Sequence, residues 1–128
     1  MADQMTVRLE LFADDVAASV AFYRDVLGFE AGTGWGEYVP VRCGAVTLGI
    51  GPASGLSDEH YFRPEVASDR RGLGVEIVLE VADVGAVYER VRASGHPLVT
   101  PLKDRPWGLT DFRVADPDGY FLRITSRA

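Results

Sequence analysis

Arg123 stands between Leu122 and Ile124 in the strand-like run "YFLRI". Alternation along a strand sends it to the face opposite those apolar neighbours. A charge partly withdrawn from water there needs a counter-charge or a ligand. Carboxylates recur at alternating places in "VRLELFA" (Glu10) and "VEIVLEV" (Glu76 and Glu80), and a guanidinium fork suits bidentate pairing with a carboxylate. The other reactive types are scattered. Cys43 is the only cysteine; beside the turn residue Gly44 and with no histidine close in sequence, it reads as an inert thiol. His60 and His96 are the only histidines, and both are expected as solvent-exposed loop residues, which leaves no basis for a Ser-His-Asp arrangement. "GTGWGE" is glycine-rich, but no long helix follows to make a phosphate loop. Trp35, Tyr38, Phe62 and Trp107 fall in or beside loops, where aromatic rings can stack on a flat ligand.

The elements that position these residues come as a repeat. Val7 to Ala13 alternates as a strand. Asp14 and Asp15 are N-cap types, and Val16, Val20, Tyr23 and Leu27 make one helical stripe closed by Gly28. Glu37 to Ile50 reads as two strands joined at Cys43-Gly44. The second half repeats the pattern. Val75 to Val84 gives strand and cap, and Val84, Val87, Tyr88 and Val91 give a helix closed by Gly95 and Pro97. Strands follow at Leu98 to Leu102, Leu109 to Ala115 and Tyr120 to Thr125, with the turn "DPDG" before the last. Laying Asp15-Val16 over Asp83-Val84 aligns the halves. Residues 5–50 and 73–128 are thus two βαβββ modules of one domain, and 51–72, rich in Gly, Ser, Pro and charge, is a connector or mobile flap. By alternation Val7, Leu9 and Leu11 pack under the first helix, leaving Arg8, Glu10 and Phe12 on a cleft face. Likewise Val75, Ile77, Leu79 and Val81 pack inward, leaving Glu76, Val78 and Glu80 on the cleft side.

Composition bounds the reading. The sequence has 128 residues, 47% hydrophobic, with a net charge of −6. That length suits one domain with a real core. No apolar run reaches the ~18 residues of a membrane span, and the first residues lack a signal peptide's apolar core. The acidic balance argues against nucleic acid as a partner. A single cysteine favours a cytoplasmic setting.

The repeated module, "DVAASVAFYRDVLGF" and "DRPWGLTDFRVADPDGYFLRI" resemble the vicinal oxygen chelate superfamily, which includes glyoxalase I, fosfomycin resistance enzymes, extradiol dioxygenases and bleomycin-resistance proteins. With "EYVPVRCGAVTLGI", the resemblance is closest to the bleomycin-resistance branch. It implies an α+β fold: a curled eight-stranded mixed sheet around a cleft, with helices on its outer face. The superfamily's enzymes take metal ligands from four strands. Counted from the caps and the turn glycines, the matching positions here are Arg8, Leu48, Glu76 and Arg123. Only Glu76 is a metal ligand by type, because arginine offers no lone pair. The resemblance also matches Tyr38 to an aromatic that sandwiches a flat ring and places Trp107 in a loop bordering the cleft.

The sequence therefore points to a binding protein with neither metal nor cofactor, which holds a small aromatic molecule with a weak preference for cations. Its site comprises Arg8, Glu10, Phe12, Trp35, Tyr38, Leu48, Glu76, Val78, Trp107 and Arg123, and no residue is assigned a catalytic role. Arg8, Glu76 and Arg123 either contact the ligand or brace the cleft as a charge triad. A homodimer with shared clefts and a role in antibiotic resistance are expected, with no contact to nucleic acid or membrane. The alternatives are a glyoxalase-type lyase, isomerase or thiol transferase, using Asp58, Glu59 and His60 from the connector or Glu76 alone, and a module that regulates another protein.

Overall fold

The structure is a computed structural model that describes residues 4–62 and 71–127. The chain divides into two compact units, Met1–Arg63 and Pro64–Ala128. The first contains β1 (Leu9–Ala13), α1 (Val16–Ala21), β2 (Glu30–Ala31), β3 (Val39–Cys43) and β4 (Val46–Pro52). The second contains β5 (Ile77–Val81), α2 (Val84–Ser94), β6 (Thr100–Asp104), β7 (Thr110–Ala115) and β8 (Phe121–Ser126). The α+β class, the eight strands and the βαβββ order agree with the sequence. Hydrogen bonding groups the strands as two four-stranded mixed sheets, β1-β4-β3-β2 and β5-β8-β7-β6.

The same local chemistry starts both helices. The Asp15 carboxylate accepts from the Ala18 amide at 3.1 Å, and Asp83 accepts from the Ala86 amide at 3.0 Å. Each satisfies one of the amides a helix start leaves open. α2 ends on Gly95 at φ 80°, the left-handed cap its glycine supplies. α1 ends differently. Phe22–Val26 forms a π-helical turn, in which the Leu27 amide reaches the Phe22 carbonyl at 3.3 Å. Tyr23 lies fully buried there, edge-on to Phe22 and Phe29. The wider turn keeps Val20, Tyr23 and Leu27 all buried, though a 3.6-residue period alone gives no sign of it.

Each sheet buries one face. In the first unit Leu11, Ala13, Val41, Leu48 and Ile50 join the helix residues in the core. In the second, Ile77, Leu79, Phe112, Val114, Leu122 and Ile124 join Val91. Val7 and Val75, expected to pack inward, are exposed. They precede the ladders, which begin at Leu9 opposite Leu48 and at Ile77 opposite Leu122, so no neighbouring strand pairs with them. Of the 51–72 connector, β4 takes residues through Pro52 and a 3-10 turn covers Ala53–Gly55. Its reading as a mobile flap concerns in part residues 63–70, which lie outside the described residues. Its end is fixed. Arg71 and Asp118 are each 5% exposed and form an ion pair at 2.9 Å with the "DPDG" turn.

Candidate functional site

On the open face of the first sheet, glycine makes room for an aromatic ring. Gly49 stands opposite Glu10 in the β1–β4 ladder. A Cβ on Gly49 would collide with the Tyr38 hydroxyl and the Glu10 carboxylate, and one on Gly51 would touch the Tyr38 ring at 3.6 Å. The alternating glycines of "TLGIGP" thus form a trough that Tyr38 fills. Its hydroxyl donates to Glu10 Oε1 at 3.1 Å, and Arg8 Nε lies 2.6 Å from the same oxygen. Burial, then the bond to Glu10 and its charge, push the Tyr38 phenol above its ordinary value, partly offset by Arg8 and Arg42. Phe12, on the same face, meets the rings of His60 at 5.5 Å and Phe62 at 5.8 Å. His60 is half-buried and its Nδ1 accepts from the Phe62 amide at 3.1 Å; the expected solvent-exposed loop histidine is instead part of an aromatic cluster. His96 is also half-buried, with Nε2 2.7 Å from the Ala115 carbonyl.

Leu48 does not belong to the site. It is 0% exposed and belongs to the buried face. The count from the turn glycine fails because β4 has seven residues and β8 six, although each glycine lies two residues before the first pair of its strand. Cys43 pairs with Val46 across Gly44-Ala45, whereas Ala115 pairs with Phe121 across a five-residue loop, Asp116 to Tyr120. Relative to the first strand of each unit, Leu48 matches Leu122, and Gly49 matches Arg123, which stands opposite Val78.

On the second sheet, Arg123 points to the open face as its alternation requires. Its Nε is 2.8 Å from Glu76 Oε1, with side chains 26% and 38% exposed. That nitrogen nevertheless has no hydrogen-bond acceptor, so the contact is a charge pair whose N–H is poorly aimed. Beside it lies an open cleft of about 420 Å³ lined by Val78, Glu80, Trp107, Leu109, Arg123 and Thr125. Trp107, 56% exposed, sits on the loop between β6 and β7. Gly108 at φ 91° shapes this loop, and the Arg105 amide bonds to the Leu109 carbonyl at 2.8 Å. Trp35 is exposed in the first unit, away from any sheet ladder.

Of the ten expected residues, the structure gathers Val78, Trp107 and Arg123 at one cleft with Glu76 paired to its rim, and Arg8, Glu10 and Tyr38 in a separate network. Sequence reasoning missed Leu109, Thr125, Asp111 and Arg113. Alternation in "TDFRVA" already sends Asp111 and Arg113 to the face opposite buried Phe112 and Val114, so the signal was present.

A metal fits these positions poorly. The equivalent strand positions carry Arg8, Gly49 or Leu48, Glu76 and Arg123, and guanidinium groups repel a cation. Among the described residues, no three His, Cys, Asp or Glu side chains come together as a ligand set.

Residues 6–124 match the glyoxalase/bleomycin resistance protein/dioxygenase superfamily. A glyoxalase/bleomycin resistance protein/dioxygenase from Nocardioides is 26% identical, with a TM-score of 0.79 over 98% of this chain and 85% of that one. TioX from Micromonospora sp. ML1 is 22% identical, with a TM-score of 0.77 over 98% of this chain and 100% of its own. Lactoylglutathione lyase from Agrobacterium tumefaciens is also 22% identical, with a TM-score of 0.73 over 98% and 95%. The latter two, at their low identity, show the shared fold alone. No curated protein matches the chain.

Proposed function

Because the chain belongs to the glyoxalase/bleomycin resistance protein/dioxygenase superfamily, we propose that it binds a small aromatic molecule without a metal and protects its host by sequestering an antibiotic or related natural product. The observation that carries this reading is the exposed indole of Trp107 over a cleft whose other walls include Val78 and Leu109. An exposed indole beside apolar side chains offers a large, stiff stacking surface, worth about 0.5–1.5 kcal/mol beyond burial for a matched ring. The unsuitable ligand positions support the metal-free part. The expected preference for cations has less behind it. Glu10 is already paired with Arg8, and Glu76 with Arg123, which leaves only Glu80 at the cleft without an ion pair among the described residues.

A glyoxalase-type reaction gains no specific support. Of its proposed connector ligands, His60 uses Nδ1 on the Phe62 amide and packs its ring on Phe12. The homodimer and the cytoplasmic setting remain part of the proposal. Exposed Val7, Leu73, Val75 and Val99 give a second copy apolar surface to cover, and no helix among the described residues is long and apolar enough to cross a membrane.

The test is a thermal-shift screen of antibiotics and aromatic natural products against the wild type and Trp107→Ala. Aromatic hits that raise the unfolding temperature of the wild type and not of the variant support the reading. Hits unaffected by Trp107→Ala, or stabilisation only when a divalent metal is added, contradict it.

A further inference from the structure

The open face of the second sheet carries two rows of side chains. Thr100, Arg113, Arg123 and Val78 are successive partners across β6, β7, β8 and β5. Lys103, Asp111, Thr125 and Glu80 form the adjoining row. Five buried side-chain polar atoms among the described residues lack a hydrogen-bond partner. Four of them lie in these rows: Thr100 Oγ1, Asp111 Oδ2, Arg113 Nε and Arg123 Nε. Folded proteins leave few such atoms, because each forfeits its bonds to water with nothing in return. Four on one patch of one sheet mark an under-paired polar cluster.

The chemistry of the patch names the partner it would take. Arg113 and Arg123 are directly opposite each other on β7 and β8, and like charges so placed repel. Arg123 has Glu76 at 2.8 Å. Arg105 donates to Asp111 Oδ1 at 2.8 Å, so that carboxylate is engaged, although it is 0% exposed and its Oδ2 remains free. Half-buried Arg113 has no ion pair among the described residues. With Lys103 and Glu80 of the adjoining row offsetting each other in charge, Arg113 leaves the patch short of one negative charge. Val78, Glu80, Arg123 and Thr125 belong both to these rows and to the wall of the Trp107 cleft.

We infer that the ligand is an aromatic acid whose carboxylate is held by Arg113 and Arg123 while its ring stacks on Trp107. This rests on the aromatic-binding reading of the cleft and reverses the expected preference for cations. An oxyanion held by both guanidinium groups would relieve the repulsion between them.

Four compounds of one ring size test it by calorimetry: 2-naphthoate, 3-hydroxy-2-naphthoate, neutral 2-naphthamide and 2-naphthylmethylammonium. The acids should bind at least about tenfold tighter than the amide, the worth of one charge-assisted hydrogen bond. The ammonium should bind weakest. Arg113→Gln should abolish the preference for acid over amide. Since that variant can fail to fold, ¹⁵N spectra of the wild type serve as a second readout: 2-naphthoate should shift the Arg113 and Arg123 Nε–H resonances, and 2-naphthamide should not. Amide or ammonium binding as tightly as the acid, with Trp107→Ala still weakening it, overturns the acid specificity and leaves the aromatic reading standing. No binding by any of the four overturns both. Acid binding that leaves the two Nε–H resonances unmoved overturns the assignment to these arginines.

Discussion

Gly49 holds in β4 the place that Arg123 holds in β8. The first pairs with Glu10 and the second with Val78, at matching points of the repeated module. One unit thus fills its open face with Tyr38 lying over bare backbone, while the other projects a guanidinium. A methyl at Gly49 meets the Tyr38 hydroxyl and the Glu10 carboxylate. Gly49→Ala should therefore displace Tyr38 and cost about 1–3 kcal/mol, the range for overpacking a filled site. Denaturant unfolding measures it, and a neutral result would show that Tyr38 moves aside freely.

Arg71 and Asp118 make the most deeply buried ion pair among the described residues. Breaking such a pair from one side is strongly destabilising, so Asp118→Ala should cost about 3–5 kcal/mol. Replacing both, as Arg71→Met with Asp118→Leu, should recover much of that loss in chemical denaturation. Equal losses in the single and double variants would mean that the pair does not act as a unit.

The Arg123–Glu76 pair is far more open. Solvent screening limits it, and a double-mutant cycle with Arg123→Ala and Glu76→Ala should give a coupling of about 0.5–1 kcal/mol. Strictly additive losses would show that Glu76 does not hold Arg123.

The Tyr38 phenol ionises above the ordinary tyrosine value of 10.0, because burial and the bond to Glu10 disfavour the phenolate. With the folded value raised above the unfolded one, its contribution to stability is present in full below the ordinary value and is lost as pH rises through the folded value. In an absorbance titration, Tyr38→Phe should remove one late-ionising phenol and flatten the alkaline decline in stability. A variant that loses an ordinary or early transition instead would contradict the arrangement.

The fold was legible because both halves state it in the same terms. Asp15 and Asp83 cap their helices as expected; of the two stripes Val20, Tyr23, Leu27 and Val91 are buried, and Val16, Val84, Val87 and Tyr88 half-buried. The site was legible only in part. Alternation correctly turned Arg123 outward, yet counting from Gly44 put Leu48 at a site position. Both turn glycines lie two residues before their strand's first pair, but β4 has one residue more than β8, so the same count lands on opposite faces. Arg113 and Asp111 alternate as plainly as Arg123 does. What the sequence could not convey is that their atoms are buried without partners, since that depends on cross-strand neighbours brought together only by folding.

The central claim is that aromatic binding occurs at Trp107 and needs no metal. Calorimetric titration of 2-naphthoate into protein stripped with chelator tests it most directly, with the wild type and Trp107→Ala run side by side and the metal content of each sample measured. The account predicts saturable binding to metal-free wild type, unchanged when zinc, nickel or manganese is restored, and at least about fivefold weaker in Trp107→Ala, the loss of one aromatic contact. Binding that appears only with restored metal, or that is equally tight without the indole, would contradict it.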